Sequence, residues 1–128
     1  IKNHKMDIKT KLSALWIVVM LNIVFADILS FMLPGSLEAM MTGTAAPFPI
    51  TQEIMLVFAI MLEIPIIMIF LSRILKYKLN RPANIIASVI TIIFVIGGGS
   101  TNLHYIFFAT VETVCMLMII YLAWKWKE

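Results

Sequence analysis

The fold of this chain is decided by residues Ile50–Lys76, which read ITQEIMLVFAIMLEIPIIMIFLSRILK. The stretch is almost entirely apolar and is longer than the ~20 residues that an α-helix needs to cross a bilayer. Near its middle lies a carboxylate, Glu63, followed closely by a proline, Pro65. A charged side chain at membrane depth costs about 2.5–3.5 kcal/mol, so Glu63 needs a partner, a proton or water. The stretch therefore predicts a membrane helix that carries a functional acid.

The composition of the whole chain is that of a membrane protein. Of its 128 residues, 62% are hydrophobic and only 13% are charged. The mean hydropathy of +1.00 is outside the range of soluble globular domains. The formal net charge is +3, and the single cysteine cannot form a disulfide within the chain. These values predict a single transmembrane domain over residues 1–128.

Apolar runs separated by helix-breaking residues predict four membrane helices. Pro34 and Gly35 end the first run. Pro82 suits the first turn of the third helix, where its missing N–H does no harm. The predicted helices are Leu12–Leu33, Ile50–Lys76, Ala83–Ile96 and Leu103–Trp126. Because short links join antiparallel neighbours, we expect an all-α fold, a transmembrane up-down four-helix bundle.

The basic residues predict the orientation of this bundle. Every lysine and arginine lies before the first helix, between the second and third, or after the fourth. Four crossings bring these three groups to one side, which is the cytoplasmic side because positive residues are retained there. Both termini of this multi-pass membrane protein are therefore expected in the cytoplasm. The aromatic residues expected near that side are Trp16, Tyr77, Tyr121, Trp124 and Trp126.

Three acids on three helices fall at membrane depth, where the chain has no lysine or arginine. At 1.5 Å per residue, Asp27 lies about 9 Å, Glu112 about 13 Å and Glu63 about 18 Å below the outer surface. Three charged carboxylates facing lipid would cost on the order of 8–10 kcal/mol. We therefore expect all three to point into the bundle, where they carry protons, hydrogen-bond to neighbours or line a wet cavity.

Helical spacing groups other side chains with each acid. The three stripes are Gln52-Leu56-Ala59-Glu63, Tyr105-Phe108-Glu112-Cys115 and Trp16-Met20-Ile23-Asp27. The predicted ligand-binding residues are Asn22, Asp27, Glu63, Tyr105, Phe108 and Glu112. A further polar stripe, Asn84-Ser88-Thr91, is interpreted as a surface for helix packing. No cofactor is predicted, and no metal site, because His104 has no second ligand at a suitable spacing.

Several short segments also carry a family resemblance. They are Ala26-Asp27-Ile28, Met41-Thr42-Gly43-Thr44, Glu63-Ile64-Pro65-Ile66, Leu71–Tyr77, Asn80-Arg81, Ala83-Asn84-Ile85, and Tyr105 with Phe107 and Glu112. Together they resemble a family of small uncharacterised bacterial membrane proteins with four helices, distantly similar to the DoxX-like group. The resemblance covers nearly the whole chain and implies a four-helix fold in the bacterial inner membrane. It implies no function, because no motif for the quinol oxidation associated with DoxX proteins is present.

Three functions fit these residues. The favoured one is an intramembrane site for a small lipophilic ligand, in one version a cation, with Glu63 as the central acid and Asp27 and Glu112 as its partners. If the site is catalytic, Glu63 would act as a general acid or base, so enzymatic activity stays an open alternative. The second is proton-coupled transport of a small molecule, and the third is a non-catalytic subunit or adaptor of a larger membrane complex. The expected partners are the lipid bilayer, such a ligand, and either further copies of the chain or that complex, but no nucleic acid.

Overall fold

The computed structural model describes residues 7–45, 48–97 and 102–127. Its helices are α1 (Ile8–Phe31), α2 (Ser36–Met41), α3 (Gln52–Ile74), α4 (Tyr77–Gly97) and α5 (Leu103–Lys125). Within the described ranges, four of them, all except α2, are long and apolar enough to cross a membrane. The predicted all-α transmembrane bundle is confirmed.

The four long helices form a ring in which each helix has two neighbours. α1 packs against α3 and α5, and α4 packs against the same two helices. Most of the buried apolar side chains come from α1 and α5. Those of α1 are Leu12, Trp16, Val19, Ile23 and Ala26, and those of α5 are Cys115, Met116, Ile119 and Ala123. α3 buries much less of its surface than the other three. The core is therefore off-centre, with α3 at its edge.

The start of α4 differs from the sequence prediction. Leu75 is extended, and the Asn80 N–H donates to the Lys76 carbonyl at 2.8 Å, which closes a first helical turn at Tyr77. Residues 77–81, expected to form a turn between helices, therefore belong to α4, and Pro82 lies inside the helix. The chain reverses direction between α3 and α4 within two residues, Leu75 and Lys76. Residues 77–81 are therefore not needed for the turn and can be helical.

The loop between α1 and α3 contains more structure than the sequence predicts. Besides α2, it contains two paired antiparallel strands, β1 (Thr44–Ala45) and β2 (Phe48–Pro49). Gly35 and Gly43 have φ values of +85° and +99°, a region that glycine adopts without a steric penalty. Thr51 is the N-cap of α3, because its hydroxyl accepts a hydrogen bond from the Ile54 N–H at 3.2 Å.

The lysines and arginines among the described residues gather at one end of the bundle, as the charge pattern predicts. This basic end holds the start of α1, the link between α3 and α4, and the end of α5. Here the Arg81 side chain donates to the carbonyl oxygens of Ala123 (2.9 Å) and Trp124 (3.0 Å) and lies 5.6 Å from the centre of the Trp124 ring. The Tyr77 hydroxyl donates to the Trp126 carbonyl at 2.9 Å. The start of α4 thus caps the end of α5, a favourable place for a cation.

One aromatic residue expected near the membrane surface lies elsewhere. Trp16 is fully buried, whereas Tyr121 and Trp124 are 61% and 66% exposed. Trp16 is one turn from the buried Leu12 on the inward face of α1, so its indole reaches the core rather than the lipid headgroups. That the basic end faces the cytoplasm stays a prediction.

Candidate functional site

The most buried acid in the described part of the chain is Glu112 on α5, which is only 3% exposed. It belongs to the predicted stripe on α5, in which Cys115 is also buried and Tyr105 and Phe108 are half-buried. This stripe faces the interior of the bundle, as predicted. α5 therefore delivers a carboxyl group into the core, about 14 Å from its first residue.

Asp27 on α1 and Tyr105 on α5 lie close enough to Glu112 to interact with it electrostatically. The side chains of Ser30 and His104, 2.9 Å apart, set the relative height of the two helices. Compared with that contact, Asp27 is three residues and Glu112 eight residues nearer the basic end. Asp27 therefore lies about 7 Å farther from the basic end than Glu112 does. We call Asp27, Tyr105 and Glu112 the acid cluster.

Two contacts fix the part of this cluster that lies farther from the basic end. The Tyr105 hydroxyl donates to the Val95 carbonyl at 2.9 Å, which ties α5 to the last turn of α4. The Ser30 hydroxyl donates to the Ala26 carbonyl at 2.8 Å. The Ser30 hydroxyl therefore lies within hydrogen-bond distance of both its own helix and the His104 ring. These bonds join α1, α4 and α5 around the acids.

Two buried hydroxyl groups lie on α4, that of Thr91 at about the height of Glu112 and that of Ser88 about one turn nearer the basic end. The oxygens of Ser88 and Thr91 on α4 have no hydrogen-bond partner among the described residues. Arg81 contacts Ala123 at the basic end, and Thr91 and Glu112 are each about 15–17 Å along their helices from that contact. Buried hydroxyls without a partner are uncommon and call for an explanation. The predicted packing stripe on α4 therefore has spare hydrogen-bonding capacity beside the acid cluster.

Glu63 does not join the acid cluster. Its side chain is exposed, and so are those of the other members of its predicted stripe, Gln52, Leu56 and Ala59. The stripe is real, but it faces outward. The buried face of α3 contains Pro65, Met68 and Ser72, and a residue two positions before Pro65 is rotated about 200° from it. The expectation that all three acids point into the bundle holds for Glu112 alone: Glu63 lies opposite the buried face that holds Pro65, and Asp27 is exposed at the edge of α1.

The remaining predicted site residues differ in their surroundings. Phe108 is half-buried on the inward stripe of α5, with its ring centre 5.8 Å from that of Phe107. Asn22 on α1 is half-buried, and its amide donates to the Val18 carbonyl of its own helix at 2.7 Å. Phe108 can therefore contribute an apolar surface to the site, whereas the amide hydrogens of Asn22 are drawn toward its own backbone.

A second polar cluster, which the sequence did not predict, lies nearer the basic end. The Asn84 side-chain oxygen accepts from Trp16 Nε1 at 2.8 Å and from the Ser72 hydroxyl at 3.2 Å. The Asn84 amide donates to the Asn80 carbonyl at 2.9 Å and to the Asn80 side-chain oxygen at 2.6 Å. The Asn80 amide in turn donates to the carbonyls of Ser72 (2.8 Å) and Leu75 (3.1 Å). We call this set the amide network.

The amide network is structural. All its members except Leu75 are buried, and the side-chain groups of both asparagines are engaged within it. It crosses the ring from α1 to α4 and caps the end of α3. The sequence did contain a pattern that indicates this network, since Asn80 is one turn before Asn84 on the polar stripe of α4.

Comparison with known proteins identifies the family of this chain. The whole chain, residues 1–128, matches a family described as "Family of unknown function (DUF6326)". The chain belongs to that family. No protein of curated function and no solved structure matches it. The distant similarity to DoxX-like proteins stays a prediction.

The charge distribution sets this DUF6326 member's acid cluster apart from an ordinary ion pair. The chain has no lysine or arginine between Lys11 and Arg73 or between Arg81 and Lys125. Arg73 and Arg81 bond to Ser13 and to the end of α5, both at the basic end. A buried carboxyl group and its acidic neighbour thus lie in the bundle without a positive side chain at their depth.

Proposed function

We propose that this chain is a multi-pass protein of the bacterial inner membrane, with its basic end in the cytoplasm, and that it binds a small lipophilic cation at the acid cluster. The observation that carries the proposal is the burial of Glu112 beside Asp27 with no lysine or arginine at that depth. A buried charge is usually paired with an opposite charge. Here the missing partner would be the ligand.

The energetics favour a cationic ligand over a neutral one. Two neighbouring carboxyl groups in a region of low dielectric constant repel each other when both are ionised, and each loses hydration. A single ammonium group between Asp27 and Glu112 would offset both effects and would donate up to three hydrogen bonds. The hydroxyls of Thr91, at about the height of Glu112, and of Ser88, about one turn nearer the basic end, have no partner among the described residues and are further acceptors for such donors.

The remaining features suit the lipophilic part of the ligand and its entry. Phe108 and the buried Cys115 flank Glu112 on the inward face of α5 and offer apolar contacts. Asp27 is exposed at the edge of the bundle, so it would attract a cation that has partitioned into the membrane. The ligand would then move from Asp27 toward Glu112. Glu63 and Asn22 are left out of this site because one faces outward and the other bonds its own helix.

Binding of radiolabelled 2-phenylethylamine to the protein in nanodiscs tests this proposal. This probe is a small lipophilic ammonium at neutral pH, and empty nanodiscs measure its uptake by lipid. We expect saturable binding to the wild type and at least a tenfold loss with Glu112→Gln, which keeps the shape of the side chain and removes the charge. An ion pair in a partly buried site supports a difference of this size.

Two controls make the result specific. Glu63→Gln removes an acid at similar depth that faces outward, and it should leave binding unchanged. Competition with 2-phenylethanol, which has the same ring and no positive charge, should displace little of the amine. Equal binding by the wild type and Glu112→Gln, or equal competition by the alcohol, would refute a cation site at the acid cluster.

A further inference from the structure

The outward face of α3 carries a regular row of exposed side chains with an acid in its centre. The row consists of Leu56, Ile60, Glu63, Ile67, Phe70 and Ile74, which we call the α3 seam. Its members alternate between spacings of four and three residues, the pattern along which two helices pack side by side. Only 11% of the most apolar part of α3 is buried within the bundle, against 28–33% for the other long helices.

Glu63 lies at the middle of the membrane span. It is the central residue of α3, which runs from Gln52 to Ile74, and so lies about 16 Å from either end of the helix. The nearest basic residue along α3 is Arg73, about 15 Å away, and its side chain bonds to Ser13 at the basic end. No lysine or arginine in the described part of the chain can therefore reach Glu63.

An exposed carboxyl group at this depth is unfavourable in either protonation state. The ionised form is strongly disfavoured in hydrocarbon. The neutral form keeps one O–H donor and one carbonyl acceptor that lipid tails cannot satisfy. By contrast, the outward face of α4 at membrane depth is apolar, with Ile86, Val89 and Ile93 exposed. Of these two faces, only that of α3 needs a polar partner.

We propose that the α3 seam is the interface between two copies of this chain, with the two Glu63 carboxyl groups paired by reciprocal hydrogen bonds on a two-fold axis. Two copies inserted in the same orientation place Glu63 at the same depth. A neutral carboxyl group has one donor and one acceptor, so two of them satisfy each other completely without a cation. This matches an isologous interface, in which the same surface patch is used by both subunits. Ala59, exposed one turn before Glu63, lets the two helices approach closely.

Cysteine cross-linking in liposomes tests where two copies meet. In a Cys115→Ala background, Ile60→Cys and Ile67→Cys should form disulfide-linked dimers on oxidation. Ile93→Cys is the matched control, because Ile93 is 65% exposed on the outward face of α4 and should cross-link only at the level of random collision. Cross-linking at Ile93 equal to that at Ile60 and Ile67 would overturn the proposal.

Energy transfer between labelled copies in liposomes tests the role of Glu63. Glu63→Gln should retain association, because two amides can also exchange reciprocal hydrogen bonds. Glu63→Leu should weaken it roughly tenfold, the effect expected for losing two hydrogen bonds between membrane helices. Ile67→Trp, which disturbs the seam by size alone, should also weaken association while leaving helix content unchanged. Equal association of wild type and Glu63→Leu, or recovery of single copies bound through Glu63 to a basic helix of another protein, would exclude the paired acids.

Discussion

Replacing Asn84 by leucine should destabilise the bundle more than any other polar-to-apolar change on α4. Asn84 accepts hydrogen bonds from Trp16 on α1 and Ser72 on α3, and it donates to Asn80 on its own helix. All four residues are fully buried. Leucine has the same branched arrangement of side-chain heavy atoms and is somewhat larger, so no cavity forms and the main consequence is the loss of hydrogen bonds.

The expected magnitude follows from the groups that lose their partners. The Trp16 N–H is fixed by the indole ring and cannot reach water, and the Asn80 side-chain oxygen loses its short contact. Each unsatisfied buried group costs about 1–3 kcal/mol. The Ser72 hydroxyl can rotate toward a backbone carbonyl of its own helix and should cost little. We therefore expect the free energy of unfolding to fall by about 2–6 kcal/mol.

Unfolding in mixed micelles titrated with dodecyl sulfate, followed by circular dichroism, measures this change. Ser88→Ala is the matched control: Ser88 is buried on the same helix one turn away, but its hydroxyl has no partner to lose. A Trp16→Phe change should make Asn84→Leu less costly, since the indole donor is then gone, and the coupling should exceed about 1 kcal/mol. If Asn84→Leu costs no more than Ser88→Ala, the amide network does not stabilise the fold.

Two further substitutions test other parts of the structure. Thr91→Val removes a buried hydroxyl that has no partner among the described residues, so the free energy of unfolding in the same titration should stay unchanged or rise by up to about 1 kcal/mol. A clear fall would show that the hydroxyl is satisfied. Arg81→Gln removes a cation that bonds the Ala123 and Trp124 carbonyls; hydrogen exchange in the last turn of α5 should become several-fold faster, with Arg81→Lys recovering only part of the protection because lysine lacks the fork of guanidinium donors. Unaltered exchange with Arg81→Gln would mean that the cap does not hold α5.

The sequence alone was sufficient for the number of helices long and apolar enough to cross a membrane, whereas the depth of each acid stays a prediction. Hydropathy and length identify a span because a bilayer requires about 20 apolar residues, and a rise of 1.5 Å per residue then gives the height of each acid. The grouping of basic residues at one end followed from an even number of crossings. Helical spacing also identified the stripe of Glu112, which faces inward as predicted.

Which face of each helix turns inward depended on the tertiary structure. The stripes of Glu63 and Glu112 look alike in sequence, yet one faces outward and the other is buried. In a soluble protein the polar face of a helix is the face that contacts solvent, so it identifies the outward side. In a membrane the lipid tails are as apolar as the core, so hydropathy does not distinguish the two sides, and Pro65 on the buried face of α3 turned Glu63 outward.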